Sequence, residues 1–344
     1  MLNTDAKLRT DLFDATEQKA TRDGFGTGLI EAADTDPRVV ALCADLSEST
    51  RALDFKKKYP ERFIEVGVAE QNLAALAAGF AGYGKIPFIT SYATFSPGRN
   101  NEQIRTTISI NNVPVKICGM HAGISVGPDG ATHQALEDIA LMRVQPNMTV
   151  ISPCDAEEAR KATIAAAKTD GPVYLRFGRE KTPVMTTPET PFAIGKAEVF
   201  WRPPDLPRAG LGNYQGRPLV ECSIFATGPL VHYALLAAKQ LEAEGVQVTV
   251  VNVHTIKPLD KDTVVREAKH AGAAVTVEEH QIAGGLGGAI AELLAAESPM
   301  PIEFIGMHDM FGQSGEPKEL IAHYGMDVPH IVAAVKKAVE RKAH

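Results

Sequence analysis

The stretch "HAGISVGPDGATH", residues 121–133, carries three side chains able to handle protons: His121 and His133 at its ends and Asp129 inside it. Imidazoles gain and lose protons near neutral pH, and a neighbouring carboxylate orients or pairs with them, so the set suits general acid–base work. Gly123, Gly127 and Gly130 make a regular helix or strand unfavourable there and permit close backbone approach to a ligand. A plain structural turn accounts for the same residues. A further candidate is Glu70, in the first turn of the small, apolar helical pattern "VAEQNLAALAAGFAGYG" at 68–84. A carboxylate near a helix N-terminus commonly just faces water. Apolar surroundings would instead desolvate it, which suits a group sharing a proton with a ring nitrogen. The sequence has neither HExxH nor a tetrahedral ligand set, so no metal ligand is assigned. "GGLGG" at 284–288 resembles a phosphate-binding turn but lacks a dinucleotide fingerprint or P-loop lysine, and tight helix–strand packing explains it equally well.

These residues need elements to hold them. Short β-rich runs recur at 38–43, 87–92, 113–120, 148–153 and 172–177, with the little polar alternation expected of parallel strands covered on both faces. Helical patterns lie between them at 68–84 and 155–171, the second with Asp155 as N-cap and Gly171 past its end. His121 then closes a parallel strand, at the carboxyl edge where open α/β sheets place ligands. A helix is expected to begin at His133 and run through "QALEDIALMR". A second series follows: strands at 222–228, 246–253, 273–279 and 302–307, with helices at 230–244 and 286–297. The fold class is α/β, as two tandem domains. The expected division is an N-terminal extension 1–19, a first domain 20–187, a Pro/Gly-rich connection 188–219 with an edge strand at "AEVFW", and a second domain 220–344.

A length of 344 residues suits two such cores, and a net charge of −7 without a basic run argues against a nucleic-acid footprint. No apolar run is long enough to span a membrane, and the charged start does not read as a secretory signal. The four cysteines, Cys43, Cys118, Cys154 and Cys222, lack metal or redox spacing and read as core residues in a reducing compartment, hence an expected cytoplasmic enzyme.

Taken together, "GVAEQNLAALAAG", "HAGISVGPDGATHQALEDIALMR" and "EEHQIAGGLGGAIAEL" with "FIGMHDMFGQSGEPKELIAHYGMD" resemble transketolase, from about residue 20 to the end. The resemblance covers the thiamine diphosphate pyrimidine-binding domain and the transketolase C-terminal domain. The family's diphosphate-binding domain, with its "GDG" signature and asparagine that hold magnesium, has no counterpart here. The chain therefore resembles the C-terminal subunit of a split transketolase, its other half being a separate N-terminal subunit that supplies the Mg2+ ligands. The resemblance implies that Glu70 bonds the aminopyrimidine of thiamine diphosphate and favours the imino tautomer that activates the thiazolium carbon. It implies that Tyr92 and Phe95 stack on that ring, and that His121, Asp129 and His133 face the sugar, the histidines moving protons. Arg22, Asp45 and Ser49 match positions lining the substrate channel. Arg22, Ser49 and Arg179 resemble the site for the sugar's terminal phosphate, with Arg176 the competitor for the last position. Gly98 stands where many family members carry a third pocket aromatic, and the Pro/Gly-rich run at 201–216 is insertion-like. The implied activity is transfer of a two-carbon ketol unit from a ketose phosphate to an aldose acceptor, as in the pentose phosphate pathway. The implied assembly is α2β2, this chain dimerising around the 68–84 helix. The alternative is half of another thiamine diphosphate enzyme, a deoxyxylulose-phosphate synthase-like protein or a 2-oxoacid dehydrogenase beta subunit.

Overall fold

The computed structural model describes residues 1–14, 17–203 and 220–342, with the short pairs 213–214 and 217–218 between them. Most of the insertion-like run at 201–216 lies outside the described residues. The main strands are β1 (Val39–Cys43), β2 (Phe63–Glu65), β3 (Ile86–Tyr92), β4 (Lys116–Met120), β5 (Thr149–Ile151), β6 (Val173–Arg176), β7 (Glu198–Trp201), β8 (Cys222–Ala226), β9 (Val248–Asn252), β10 (Thr255–Lys257), β11 (Ala274–Gln281) and β12 (Ile302–Met307). The main helices are α1 (Thr21–Thr35), α2 (Glu70–Gly82), α3 (Asp138–Arg143), α4 (Ala156–Ala167), α5 (Val231–Ala243), α6 (Lys261–Ala271), α7 (Leu286–Glu297), α8 (Pro317–His323) and α9 (Val328–Lys342).

Two α/β domains result. The seven-stranded first sheet runs β10-β5-β6-β4-β3-β1-β2, and the five-stranded second runs β12-β11-β8-β9-β7. All neighbours are parallel except β10 on β5 and β7 on β9. Strands β1, β4, β8 and β9 bury every residue, as expected of parallel strands covered on both faces. Asp155 caps α4 by accepting the Glu158 N–H, and Asp260 caps α6 through Thr263.

One edge strand, β10, and one shared core tie the domains together. The strand expected at "AEVFW" is β7, on the edge of the second sheet. The strand β10, which alternation did not reveal, leaves the second domain to extend the first sheet. One continuous core spans both, joining Ile139 and Val150 to Val253, Ile256, Leu286 and Ile290.

Strand order brings the carboxyl ends of β6, β4, β3 and β1 side by side. Arg179 follows β6, His121 follows β4, Tyr92 ends β3 with Phe95 just beyond, and Asp45 and Ser49 follow β1. The helix expected from His133 starts five residues later, at Asp138 in α3. Before it the chain stays extended, because Ala135 bridges to Ala122 and its carbonyl accepts the Gly123 N–H.

Candidate active site

Glu70 opens α2 and is 2% exposed. Its carboxylate Oε2 accepts from Arg99 Nη1 at 2.8 Å, whereas Oε1 has only the Ser91 hydroxyl at 3.4 Å. The Asn100 amide donates to the Glu70 carbonyl at 2.9 Å and fixes the start of the helix against the loop after β3. Arg99 also lies over the Phe95 ring, 5.0 Å from its centroid. A third aromatic has no place at Gly98: a Cβ there would sit 2.1 Å from the Thr94 carbonyl oxygen in a tight turn. The guanidinium of the next residue completes that wall instead.

The rings of Tyr92 and Phe95 stack with centroids 6.0 Å apart and planes 21° from parallel. Both histidines converge on this pair. His121 meets Tyr92 edge-on at 4.0 Å, and His133 approaches Phe95 at 5.4 Å and Tyr92 at 6.2 Å.

His121 is 3% exposed and holds a left-handed backbone, φ 54°. Arg22 Nη1 lies 2.7 Å from its Nε2. Arginine only donates, so Nε2 is the acceptor and the ring proton sits on Nδ1. That Nδ1 is buried and has no hydrogen-bond partner. Burial, then the positive charges of Arg22, Arg179 and Arg51, push His121 down to about 3. The neutral imidazole thus presents a buried Nδ1–H that has no hydrogen-bond partner. His133 sits at the loop's other end, half-buried, with Nδ1 2.9 Å from the Thr132 hydroxyl.

Arg22 also donates to the Ser49 carbonyl at 2.9 Å, so Ser49 enters the site through its backbone. Asp45 is exposed on the same rim, its backbone N–H held by Glu65 at 2.7 Å. Arg179 donates to the Val126 carbonyl at 2.7 Å and lies 3.8 Å from the Asp129 carboxylate. Arg51, paired with Asp23 at 2.7 Å, is the third guanidinium acting on His121.

Arg176 has a different setting. It is 5% exposed and its fork is taken by Asp138, at 2.8 and 3.2 Å, and by the carbonyls of Ala135 and Glu279. Tyr174 donates to the same carboxylate at 2.6 Å. Of the two arginines at the carboxyl end of β6, Arg179 is the one whose contacts face the histidine loop.

The "GGLGG" turn already holds an acidic side chain of its own. Glu278 accepts the N–H groups of Leu286 and Gly287 at 2.7 Å each, and burial lifts its carboxyl to about 7. All four cysteines are buried and free. Among the described residues there is no cluster of three or more metal-ligating side chains, and no helix is long and apolar enough to cross a membrane.

Arg51, Arg99 and Glu279 were not singled out from the sequence. "ADLSESTR" and "FSPGRNN" each place an arginine beside residues that were, the one signal available for the first two. Glu279 lies in the motif "EEHQ", and only the tertiary contact reveals its role.

Known proteins match along nearly the whole chain. The model of the transketolase pyrimidine binding domain matches residues 17–185, and that of the transketolase C-terminal domain matches residues 216–331. The 6-deoxy-6-sulfo-D-fructose transketolase subunit SqwH of Clostridium sp. (strain MSTE9) is 37% identical over 95% of this chain and 96% of its own length. An apulose-4-phosphate transketolase subunit of Phocaeicola vulgatus is 34% identical over 95% of this chain and 100% of its own. A solved structure described as a split gene transketolase, inactive beta4 tetramer, superposes with a TM-score of 0.83 at 43% identity, covering 94% of this chain and 99% of that one.

Proposed function

The chain belongs to the transketolase family, and from that premise we propose that it is one subunit of a two-polypeptide transketolase that moves a two-carbon ketol unit from a ketose phosphate to an aldose acceptor. The observation that carries this reading is a convergence at one sheet edge. The buried carboxylate of Glu70 lies beside a stacked aromatic pair, on which a neutral and a half-buried imidazole close under three guanidiniums.

The residues fit the aminopyrimidine of thiamine diphosphate: an apolar ring wall, and a carboxylate whose Oε1 has only a 3.4 Å hydroxyl contact. When bound, that coenzyme supplies the carbon nucleophile for ketol transfer, and its diphosphate and Mg2+ would be held by the partner subunit. Glu70 holds the proton shared with the pyrimidine ring. Tyr92 and Phe95 orient the ring and exclude water. His121 donates a hydrogen bond from its Nδ1–H to a substrate oxygen, a role that needs no change in charge. His133 is the imidazole left to move a proton. Asp129, Asp45 and the Ser49 backbone line the sugar's path. Arg22, Arg51 and Arg179 supply positive charge for its terminal phosphate. The related subunits, whose names specify a sulfo-sugar and a sugar phosphate, are consistent with an anionic terminus.

The exposed face of α2 and its flanks support self-association: Val68 before the helix and Tyr83 after it are 71% and 92% exposed, and Ala75, Leu76 and Gly79 are exposed along it. We take an α2β2 enzyme as the working unit. The test is reconstitution. The isolated chain should show no ketol transfer, and adding a polypeptide that carries a diphosphate-binding domain should restore it, read by product mass. Robust turnover by this chain alone would refute the two-polypeptide reading.

A further inference from the structure

The loop that begins at His121 is held from both domains, and the contacts from the second are these. Along its length, a Cβ on Gly127 would meet Pro317 and Gly315 and one on Gly130 would meet Ser314, and Gln134 donates to the Gln313 carbonyl at 3.1 Å. The sharpest contact comes from Glu279 on β11. It is 4% exposed, and its Oε1 accepts the Ser125 N–H. A Cβ on Gly123, where φ is +92°, would come within 2.4 Å of that same oxygen. The glycine is needed because the carboxylate lies against its Cα. Burial raises the Glu279 carboxyl, so the group is retained at a cost that an apolar residue would avoid. A cavity of about 510 Å3, lined by Ser125, Tyr233, Leu236, Glu279 and Pro317 among others, adjoins the pair. Ile124 and Val126 are fully buried on either side of Ser125, and the Glu279 contact holds the backbone between them.

We propose that Glu279, a residue of the C-terminal domain, is a positioning residue for the substrate-facing loop: by receiving the Ser125 N–H and seating Gly123, it sets the backbone that carries His121 and Asp129. This rests on the function proposed above for the sugar-binding role of that loop. It gives the C-terminal domain a part in substrate recognition although it contributes none of the side chains assigned to the sugar. The flanking residues act in parallel. The Gln281 N–H donates to the Leu136 carbonyl at 2.8 Å, and His280 Nε2 lies 3.4 Å from the Ala140 nitrogen, so "EEHQ" lines one side of the segment from Ser125 to Ala140.

The experiment compares Glu279→Ala and Glu279→Gln with the unaltered chain. In the assembled two-subunit enzyme, Glu279→Ala should lower kcat/KM for the ketose phosphate about tenfold or more, with thiamine diphosphate affinity changed by less than about threefold. Glu279 bonds the histidine loop rather than Glu70, Tyr92 or Phe95, which is why coenzyme affinity should hold. Glu279→Gln keeps an acceptor of the same size and should recover most of the loss. The second readout is amide hydrogen exchange in the isolated chain, which needs neither coenzyme nor partner. Amides 123–129 should exchange faster in Glu279→Ala while those of α2 keep their protection. Unchanged loop exchange, or a rise spread evenly over the chain, overturns the proposal, as does a kcat/KM equal to that of the unaltered enzyme. If the unaltered chain transfers no ketol unit with any partner, the functional reading fails, and the exchange comparison alone still decides whether Glu279 sets the loop.

Discussion

At the scale of residues, two side chains carry most of the proposed chemistry, and each makes a separate demand. Glu70 is buried at the start of an apolar helix, with Arg99 on one oxygen and a single weak hydroxyl contact on the other. Glu70→Gln removes the shared proton while keeping shape. In the assembled enzyme it should slow proton exchange at the coenzyme's thiazolium carbon by about a hundredfold or more while subunit assembly is unchanged. An unaltered exchange rate in that variant takes Glu70 out of the mechanism. His121 is kept neutral in the folded chain, at about 3, against an ordinary value of 6.5. Below 6.5 the unfolded chain binds a proton that the folded chain refuses, so this residue's contribution to stability is lost as pH falls from 6.5 toward 3. The slope reaches roughly 1.4 kcal/mol per pH unit within that window. Urea unfolding at about pH 7, 6 and 5 should therefore show a flatter acid-side loss in His121→Asn than in the unaltered chain. Parallel slopes would mean that His121 titrates normally. The two histidines and Glu70 were legible in the sequence because residue type and glycine spacing are local properties. Arg51 and Arg99 were not, since an arginine's role depends on which carboxylate or ring the fold brings to it.

At the scale of elements, the runs with little polar alternation are strands, and α7 spans the expected 286–297. Local pattern failed where tertiary pairing decides. The strand β10 is a three-residue segment just before a proline, and it is a strand because the edge of the other domain's sheet accepts it. The chain after His133 has helical periodicity, yet its first residues stay extended to bond the histidine loop, and α3 waits until Asp138. The phosphate-turn reading of "GGLGG" failed for a related reason: the Glu278 carboxyl, a few residues upstream, occupies the helix N-terminus. The exposed face of α2 makes its own prediction. Leu76, 37% exposed, lies on the small-residue outer face between Val68 and Tyr83. Leu76→Arg should leave the melting temperature of the isolated chain within a few degrees, because no core contact is lost. It should halve the mass seen by sedimentation if α2 is the self-association face. An unchanged mass would move that interface elsewhere.

At the scale of the whole molecule, two domains assigned from an interrupted α/β pattern turn out to be built into one another. The β10 strand closes the first sheet although its neighbours in sequence belong to the second. Apolar residues of both domains share one core, with Ile139 and Val150 packed in the same cluster as Ile256 and Leu286. Across that boundary lies a buried polar network. Burial opposes a charge on Asp138, but Arg176 and Tyr174 outweigh it and hold the carboxyl below its ordinary range, while Arg176 also donates to the Glu279 carbonyl. Removing one partner from such a pair leaves the other charged and buried, typically costing about 3–5 kcal/mol. Separating the domains would break the network, strip the first sheet of an edge and expose the shared core together. The chain should therefore unfold in one cooperative calorimetric transition, with the van't Hoff and calorimetric enthalpies equal. Arg176→Met should lower that single transition without splitting it. A fragment spanning 1–187 should be less stable than the same residues within the whole chain, and two resolved transitions in the intact protein would show the domains to be independent. A domain boundary that is also a load path explains how a domain with no side chain at the histidine cluster can still govern the loop that forms it.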